Sequence, residues 1–319
     1  MKYIRTYGDY NSWKTDYSDT SRGFRLKPTL YKYSEAGDHI HLELDDPRKY
    51  RKYSDSTYME ITLDSDVEFS FYIGNAPGDT QTIRDCKVDW GDGDSGSTRL
   101  TADSRGFKLS HNYKAGSYSI ELYAIEDYSI IGDTGSYKSL ISHPSSVKRV
   151  ILGSGVVSIG LKAFLSCTSL TSVYIPNSVT SIGESAFEGC YSLTSIHIPN
   201  SVTSIGTSDG GGAFGSCTSL KSIIIPEGVT SIGHNTFEYD ELDSISIPES
   251  VTTMAPYAFY RASIKSAIFS FATVAPSVGF PGVDVYFYPG GTLHVKRGAT
   301  GYDTWMSQIG PGWTIAEDL

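Results

Sequence analysis

Charge is scarce in this chain of 319 residues. Asp, Glu, Lys and Arg make up 19% of it, below the roughly 25% of typical globular domains. Basic charge is scarcer still: 26 Lys and Arg stand against 36 Asp and Glu, for a net charge of −10. From residue 150 onward, 6 basic residues face 13 acidic ones. A protein that grips nucleic acid needs a basic patch to neutralise phosphates, so nucleic acid and anionic membrane are excluded as partners of that half. Cysteine is also rare. Cys86, Cys167, Cys190 and Cys217 are too few for a disulfide scaffold. No apolar run approaches the roughly 20 residues that cross a bilayer, so no membrane insertion is expected. Residues 1–20 are polar and Tyr-rich and lack the apolar core of a secretory leader. Either a leader was removed ahead of this numbering, or the protein reaches its site without one. Ser, Thr, Gly and Tyr fill the place of charge, a composition suited to exposed, uncharged, hydrogen-bonding surfaces.

What is present in abundance is repetition. Five segments starting at Val156, Val179, Val202, Val229 and Val251 align. An apolar residue recurs at Ile159, Ile182, Ile205, Ile232 and Met254, and a phenylalanine at Phe164, Phe187, Phe214, Phe237 and Phe259. The third copy is lengthened by four residues within 207–212. Leu-x-x-Val/Ile-x-Ile occurs as Leu170, Val173, Ile175 and again as Leu193, Ile196, Ile198. Its last two apolar positions are two apart, which is strand periodicity. Proline follows at 176, 199, 226 and 248, where a residue that cannot donate to a ladder ends a strand. One such unit is too small to bury its own apolar face, whereas stacked units bury a continuous column.

The pattern SIGxxAFxxCxSLxSIxIPxSV, read at Ser181 to Val202, closely resembles the BspA-like, or treponemal, class of leucine-rich repeats of bacterial surface proteins. The resemblance runs from about Val147 to the C-terminus. Ala275-Pro276, Leu293-His294-Val295, Tyr302 and Trp305 are similar to the closing segment of that class, which covers the last repeat.

Before the repeats, Tyr58 to Leu63 and Val67 to Ile73 alternate apolar and polar residues. Short strands at this spacing suggest a β-sandwich. The pair VDWGDG and HNYKAGSYSIELYA, at residues 88–93 and 111–124, resembles the polycystic-kidney-disease-type (PKD) domain. That resemblance implies an immunoglobulin-like sandwich with Tyr118, Ile120 and Leu122 facing its core. Residues 1–54 carry two expected strands, 24–33 and 38–45, and read as a small attachment subdomain with a weak similarity to phage structural proteins. The expected fold is therefore mainly β: residues 1–54, a PKD/Ig-like sandwich over 55–135, and a leucine-rich-repeat solenoid with its cap over 136–319.

The sharpest candidate site is the outward face of the solenoid strands, because the x positions of Leu-x-x-Leu-x-Leu point away from the core. The central position varies most between copies: Tyr174, His197, Ile224, Ser246 and Ile268. Apolar and aromatic groups exposed in a line supply contact area for a partner. The flanking row from Ser172 to Ser266 reads as structural, with a glycan as the alternative. Cys167, Cys190 and Cys217 share one repeat position and read as buried free thiols; Asp240, at the same position, argues against a metal array. His39, His41 and Glu43 on one strand face, and Asp89, Asp92 and Asp94 in a turn, are weighed as metal ligands and read instead as a solvated face and a tight turn. Gly93-Asp94-Ser95-Gly96 spells a serine-protease tetrapeptide without its other parts, and Gly210 to Gly212 lacks the Lys-Ser/Thr of a phosphate loop.

Three functions follow. The leading one is a non-enzymatic recognition or adhesion protein, extracellular or at a cell surface, that offers its repeats to a protein or cell-surface ligand, a glycan included. The second is a phage virion structural or receptor-binding protein. The third is a glycan-acting enzyme, which would need a convergent acid–base pair, and none is visible. No cofactor or metal is called for.

Overall fold

The computed structural model describes residues 3–7, 32–33, 40–44, 56–75, 86–93, 95–98, 101–103, 106–124, 128–131, 139–206, 211–255, 257–269, 277–278, 291–295, 297–298, 300–301 and 312–317. The chain forms two compact units, Met1–Ser56 and Thr57–Leu319. In the first, Ile40–Leu44 lies between Tyr3–Tyr7 and Lys32–Tyr33 in an antiparallel sheet. His41 is opposite Thr6 and Glu43 opposite Ile4; His39 and residues 24–31 lie outside the described residues.

Among the described residues, the regular elements of the second unit are strands, with one short 3-10 helix at Pro144–Ser146. Antiparallel strands come first. Gly116–Ala124 pairs with Thr57–Leu63 on one side and Cys86–Asp89 on the other, and Ser95–Thr98 closes that edge. In a second sheet, Val67–Asn75 pairs with Gly106–Tyr113. Alternation explains the packing between them: Thr57, Met59, Ile61 and Leu63 are buried while the residues between are half-buried. Ile120 and Leu122 face the core as expected, and Tyr118 packs half-buried against it. Gly91, at φ +78°, lies so close to the Ser119 carbonyl that a Cβ there would collide with it. The Asp89 carboxylate accepts the Gly91 N–H at 3.0 Å and secures the turn, and Asp94 is outside the described residues.

Parallel coils follow, and they extend the same two sheets. Val147–Ile151 pairs antiparallel with Thr57–Leu63 on one edge and parallel with Ser172–Tyr174 on the other. Tyr128–Ile130 likewise pairs antiparallel with Val67–Asn75 and parallel with Val156–Ile159. Strand pairing thus crosses residue 135 in both sheets. The switch is held by buried hydrogen bonds: the Gly153 N–H donates to the Thr57 hydroxyl at 3.0 Å, and Thr57 bonds the Tyr128 hydroxyl. Val147–Ile151 belongs to a partial copy ahead of the five, with Val150 opposite Val173. The antiparallel strands cover the first coil's edge, which would otherwise offer unpaired backbone to other chains.

Within the coils the repeat is the core. Phe164, Phe187, Phe214, Phe237 and Phe259 are fully buried and stack ring on ring at 5.2–5.9 Å between centroids, within 14° of parallel. Backbone bonds run coil to coil even through the turns. The Phe164, Phe187, Phe214 and Phe237 N–H groups donate to Ala186, Ala213, Thr236 and Ala258 at 2.8–2.9 Å. Each proline carbonyl accepts from the valine three residues on, as from Val179 to Pro176, which turns the chain after the strand.

Among the described residues, the sheet that holds Thr57–Leu63 and Val147–Ile151 is interrupted once along the coils. Ser195–Ile196 ends the first piece, and a five-stranded parallel sheet begins at Ser222–Ile224, continuing through Glu241–Ile247, Ser263–Phe269, Gly291–His294 and Trp313–Ala316. The insertion of the third copy, within 207–212, falls between the two pieces in sequence. Leu293, Val295 and Trp313 are buried at the far end; residues 275, 276, 302 and 305 lie outside the described residues.

Candidate recognition surface

Register fixes which side chains share the outer face. Ile224 lies opposite Ser246, Ser246 opposite Ile268 and Ile268 opposite His294. Tyr174 lies opposite Ile151 in the first sheet piece. His197 is exposed but follows the strand Ser195–Ile196 and belongs to neither piece. The five expected residues therefore form two groups, one around Tyr174 and one from Ile224 to Ile268, with His197 at the break. Exposure is greatest at Ile224, 70%, with Tyr174 at 37%; Ser246 is half-buried, and only the strand position of Ile268 is described. Ile151 and His294 extend the row. They escaped notice because the first copy is partial and the last strand follows a stretch without the repeat.

Why these side chains point outward is a matter of their neighbours. Ile223 and Ile225, Ile245 and Ile247 are buried, and strand residues alternate faces, so Ile224 and Ser246 are left outside. Beside the row the serines align as expected, Ser172 with Ser195, and Ser222 with Ser244 and Ser266. The next row carries charge: Lys265 donates to Asp243 at 2.6 Å and Lys221 to Glu241 at 3.2 Å. The bond from Lys265 holds the Asp243 carboxyl below its usual range. These pairs are exposed and screened, so they shape the surface's potential more than its stability. An apolar side chain flanked by hydroxyls and paired charges is the make-up of an interface centre with a polar rim.

The thiol row lies inside. Cys167, Cys190 and Cys217 are free and fully buried. Cys190 Sγ donates to the Phe164 carbonyl at 3.3 Å and Cys217 Sγ to that of Phe187 at 3.2 Å. Burial pushes the Cys190 thiol up to about 12, so these groups are unreactive packing elements. Asp240 takes the next place and is 1% exposed. Its Oδ1 accepts the Cys217 N–H at 2.7 Å, while Oδ2 has no partner. Burial drives this carboxyl well above its ordinary value.

Elsewhere the turn acids are engaged. Asp92 meets His111 Nε2 at 2.7 Å, and that imidazole stacks on Trp90 at 5.1 Å. Among the described residues no three His, Cys, Asp or Glu side chains come together as a metal-holding group, and no helix is long and apolar enough to cross a membrane. Ser95 begins a plain hairpin strand.

Stacked coils with a repeated Phe core and a variable outer strand position define a leucine-rich-repeat solenoid. Residues 138–265 match the model of the BspA type leucine rich repeat region in six copies, one more than the five full copies, in line with the partial copy at Val147–Ile151. Among solved structures, the chain is similar to a T. pallidum leucine-rich-repeat protein (29% identity, 39% of this chain and 62% of that one, TM-score 0.33). It is also similar to a leucine-rich cell-surface protein from Faecalibacterium prausnitzii (33%, 45% and 35%, TM-score 0.36). A third is a leucine-rich-repeat protein from Bacteroides ovatus (20%, 71% and 66%, TM-score 0.34). The chain spans between about a third and two thirds of the length of these proteins. No curated protein matches it.

Proposed function

We propose that this chain is a non-enzymatic recognition protein, extracellular or at a cell surface, which binds a protein partner through the outer face of its solenoid sheet around Ile224. The single observation behind this reading is Ile224 itself. It is 70% exposed while Ile223, Ile225, Ile245 and Ile247 around it are buried, and it sits in register with Ser246 and Ile268 beside paired charges. Large apolar groups at the centre of a polar rim carry most of the energy of protein association. The BspA-type repeat supports an interaction or surface role. In this reading the antiparallel region, with its PKD-like sequence, spaces and caps the repeats, and adhesion is the use to which the surface is put.

The test uses the whole chain, because cutting at residue 135 would part paired strands. Immobilised extracellular-matrix proteins and whole bacterial cells are screened for retention of the native chain, of Ile224→Ser and of a Tyr174→Ala, His197→Ala double variant. Retention of the native chain with at least about a tenfold loss in Ile224→Ser, the effect of removing one central anchor, supports the reading. Retention that survives both changes removes it.

A further inference from the structure

A second surface lies on the turn side of the last two copies, away from the strand row. Tyr239 is 41% exposed. Its ring meets Tyr260 edge-on at 5.9 Å, Tyr260 meets Tyr257 at 5.4 Å, and Tyr257 meets His234 at 5.3 Å. The Arg261 guanidinium lies over two of these rings, 5.6 Å from the centroid of Tyr239 and 5.2 Å from that of Tyr260, and donates to the Tyr239 hydroxyl at 3.3 Å. Half-buried Glu238 stands close by, its carboxyl raised by burial and by Glu188.

Stacking of the coils does not call for these residues. Tyr239 and Arg261 occupy the repeat position held elsewhere by Ser166, Gly189 and Ser216; Tyr257 occupies that of Lys162, Ser185, Gly212 and Asn235. The coils of Phe164, Phe187 and Phe214 close without an aromatic ring at either place. Both positions also require the left-handed backbone: φ is 59° at Tyr239, 59° at Tyr257 and 54° at Arg261. Bulky side chains seldom adopt that conformation, and such outliers gather at functional sites. Large aromatic and cationic residues gather at these left-handed positions only in the last two copies, where, Lys162 apart, the earlier copies carry Ser, Gly or Asn, and this marks a surface kept for contact.

We propose that the Tyr239, Tyr257, Tyr260 and Arg261 cluster is a binding platform for a neutral glycan. Edge contacts and the guanidinium over Tyr239 and Tyr260 hold the rings in place, so exposed Tyr239 and its half-buried neighbours offer fixed aromatic surface beside hydroxyl, guanidinium and carboxyl groups. A sugar ring has the complementary form, one C–H face within a rim of hydroxyls, and a few convergent polar groups around an apolar face give orientation. An extended peptide fits less well. Backbone donors here are already used between coils: Tyr239 N–H bonds Tyr260 and Phe237 N–H bonds Ala258, which leaves no edge for strand addition. Acidic polymers meet Glu238 and Glu188 as well as the negative balance of residues 150–319.

The experiment is a glycan array probed with the full chain, carrying neutral oligosaccharides ending in galactose, glucose, mannose or N-acetylglucosamine beside sialylated and sulfated ones. Native chain is expected on at least one neutral class. Tyr239→Ser, which installs the residue of the equivalent position 216, lowers apparent affinity about tenfold, the loss of one ring contact, while its Tm holds or rises because serine suits the turn better. Ile224→Ser leaves glycan retention unchanged, so this site stands or falls apart from the strand face. Retention of no neutral glycan, retention of charged glycans only, or full retention by Tyr239→Ser overturns the proposal.

Discussion

Residues 57–130 and residues 147–269 build the same two sheets by opposite means. The antiparallel region draws its core from many residue types that differ at every layer, such as Phe69, Trp90, Leu109 and Ile120. In the coils one short sentence is repeated, with a Phe, an Ile and a thiol returning at the same depth. Repetition keeps each coil's core nearly alike, Asp240 excepted, and leaves the outer positions free to differ, as Tyr174, Ile224 and Ser246 do. Core and outer face are thereby separated along a single strand, residue by alternate residue. The antiparallel region has no such separation and supplies the finished edge on which coils stack.

The largest expected effect comes from the middle of the Phe column. Phe214→Ala opens a cavity between Phe187 and Phe237 and costs about 3–5 kcal/mol, read as a lower urea midpoint. Because both sheets run through both regions, hydrogen exchange in the strand Gly116–Ala124 should loosen in step with the coils. If that strand keeps its native protection while the coils melt, the two regions are joined in sequence but not in stability.

At the junction, Thr57→Val leaves the buried Tyr128 hydroxyl and the Gly153 N–H without their shared partner. The cost is about 1–3 kcal/mol, measured as the shift in ΔG of urea unfolding at constant m. An effect near zero would show that the junction rests on packing alone.

Asp240 distinguishes a copy from its neighbours by pH. Its carboxyl is raised above 3.8 in the fold, so the folded chain holds that proton more tightly than the unfolded one. Stability is whole below about pH 4 and falls as pH climbs from there toward the folded value. Asp240→Cys restores the thiol row, flattens that slope and raises Tm at pH 7. A pH profile of Tm that is the same in both proteins would contradict the burial of a protonated acid.

Smallest is Ile224→Ser, which touches no core and changes stability by under about 0.5 kcal/mol while weakening retention on a partner. A large loss of stability would make Ile224 a structural residue.

Legibility in the sequence follows the same division. Coils were readable because Phe164 to Phe259 keep register through one insertion, and the strand faces because Ile223 and Ile225 bracket Ile224. The resemblance begins at about Val147, but Val147–Ile151 does not stand out as a copy of its own, since it carries only half of the pattern. The break after Ile196 was not readable, because it depends on hydrogen-bond geometry between coils. The fusion of the two regions was hidden because pairing of Thr57–Leu63 with Val147–Ile151 joins residues far apart in sequence, and alternation alone states that a strand has a buried face without naming its neighbour. The turn-side tyrosines were present as departures from the repeat, yet only the fold brings Tyr239, Tyr257 and Tyr260 together.

One measurement goes straight to the central claim, that recognition belongs to the outer strand face. A photo-crosslinking residue is placed at position 224, and in a second protein at exposed Thr203, next to the strand Ser204–Ile205 of the other sheet, and each is irradiated on the matrix protein or cells that retain the native chain. Adducts from 224 and none from 203 are the predicted result; adducts from 203 with none from 224 would contradict it.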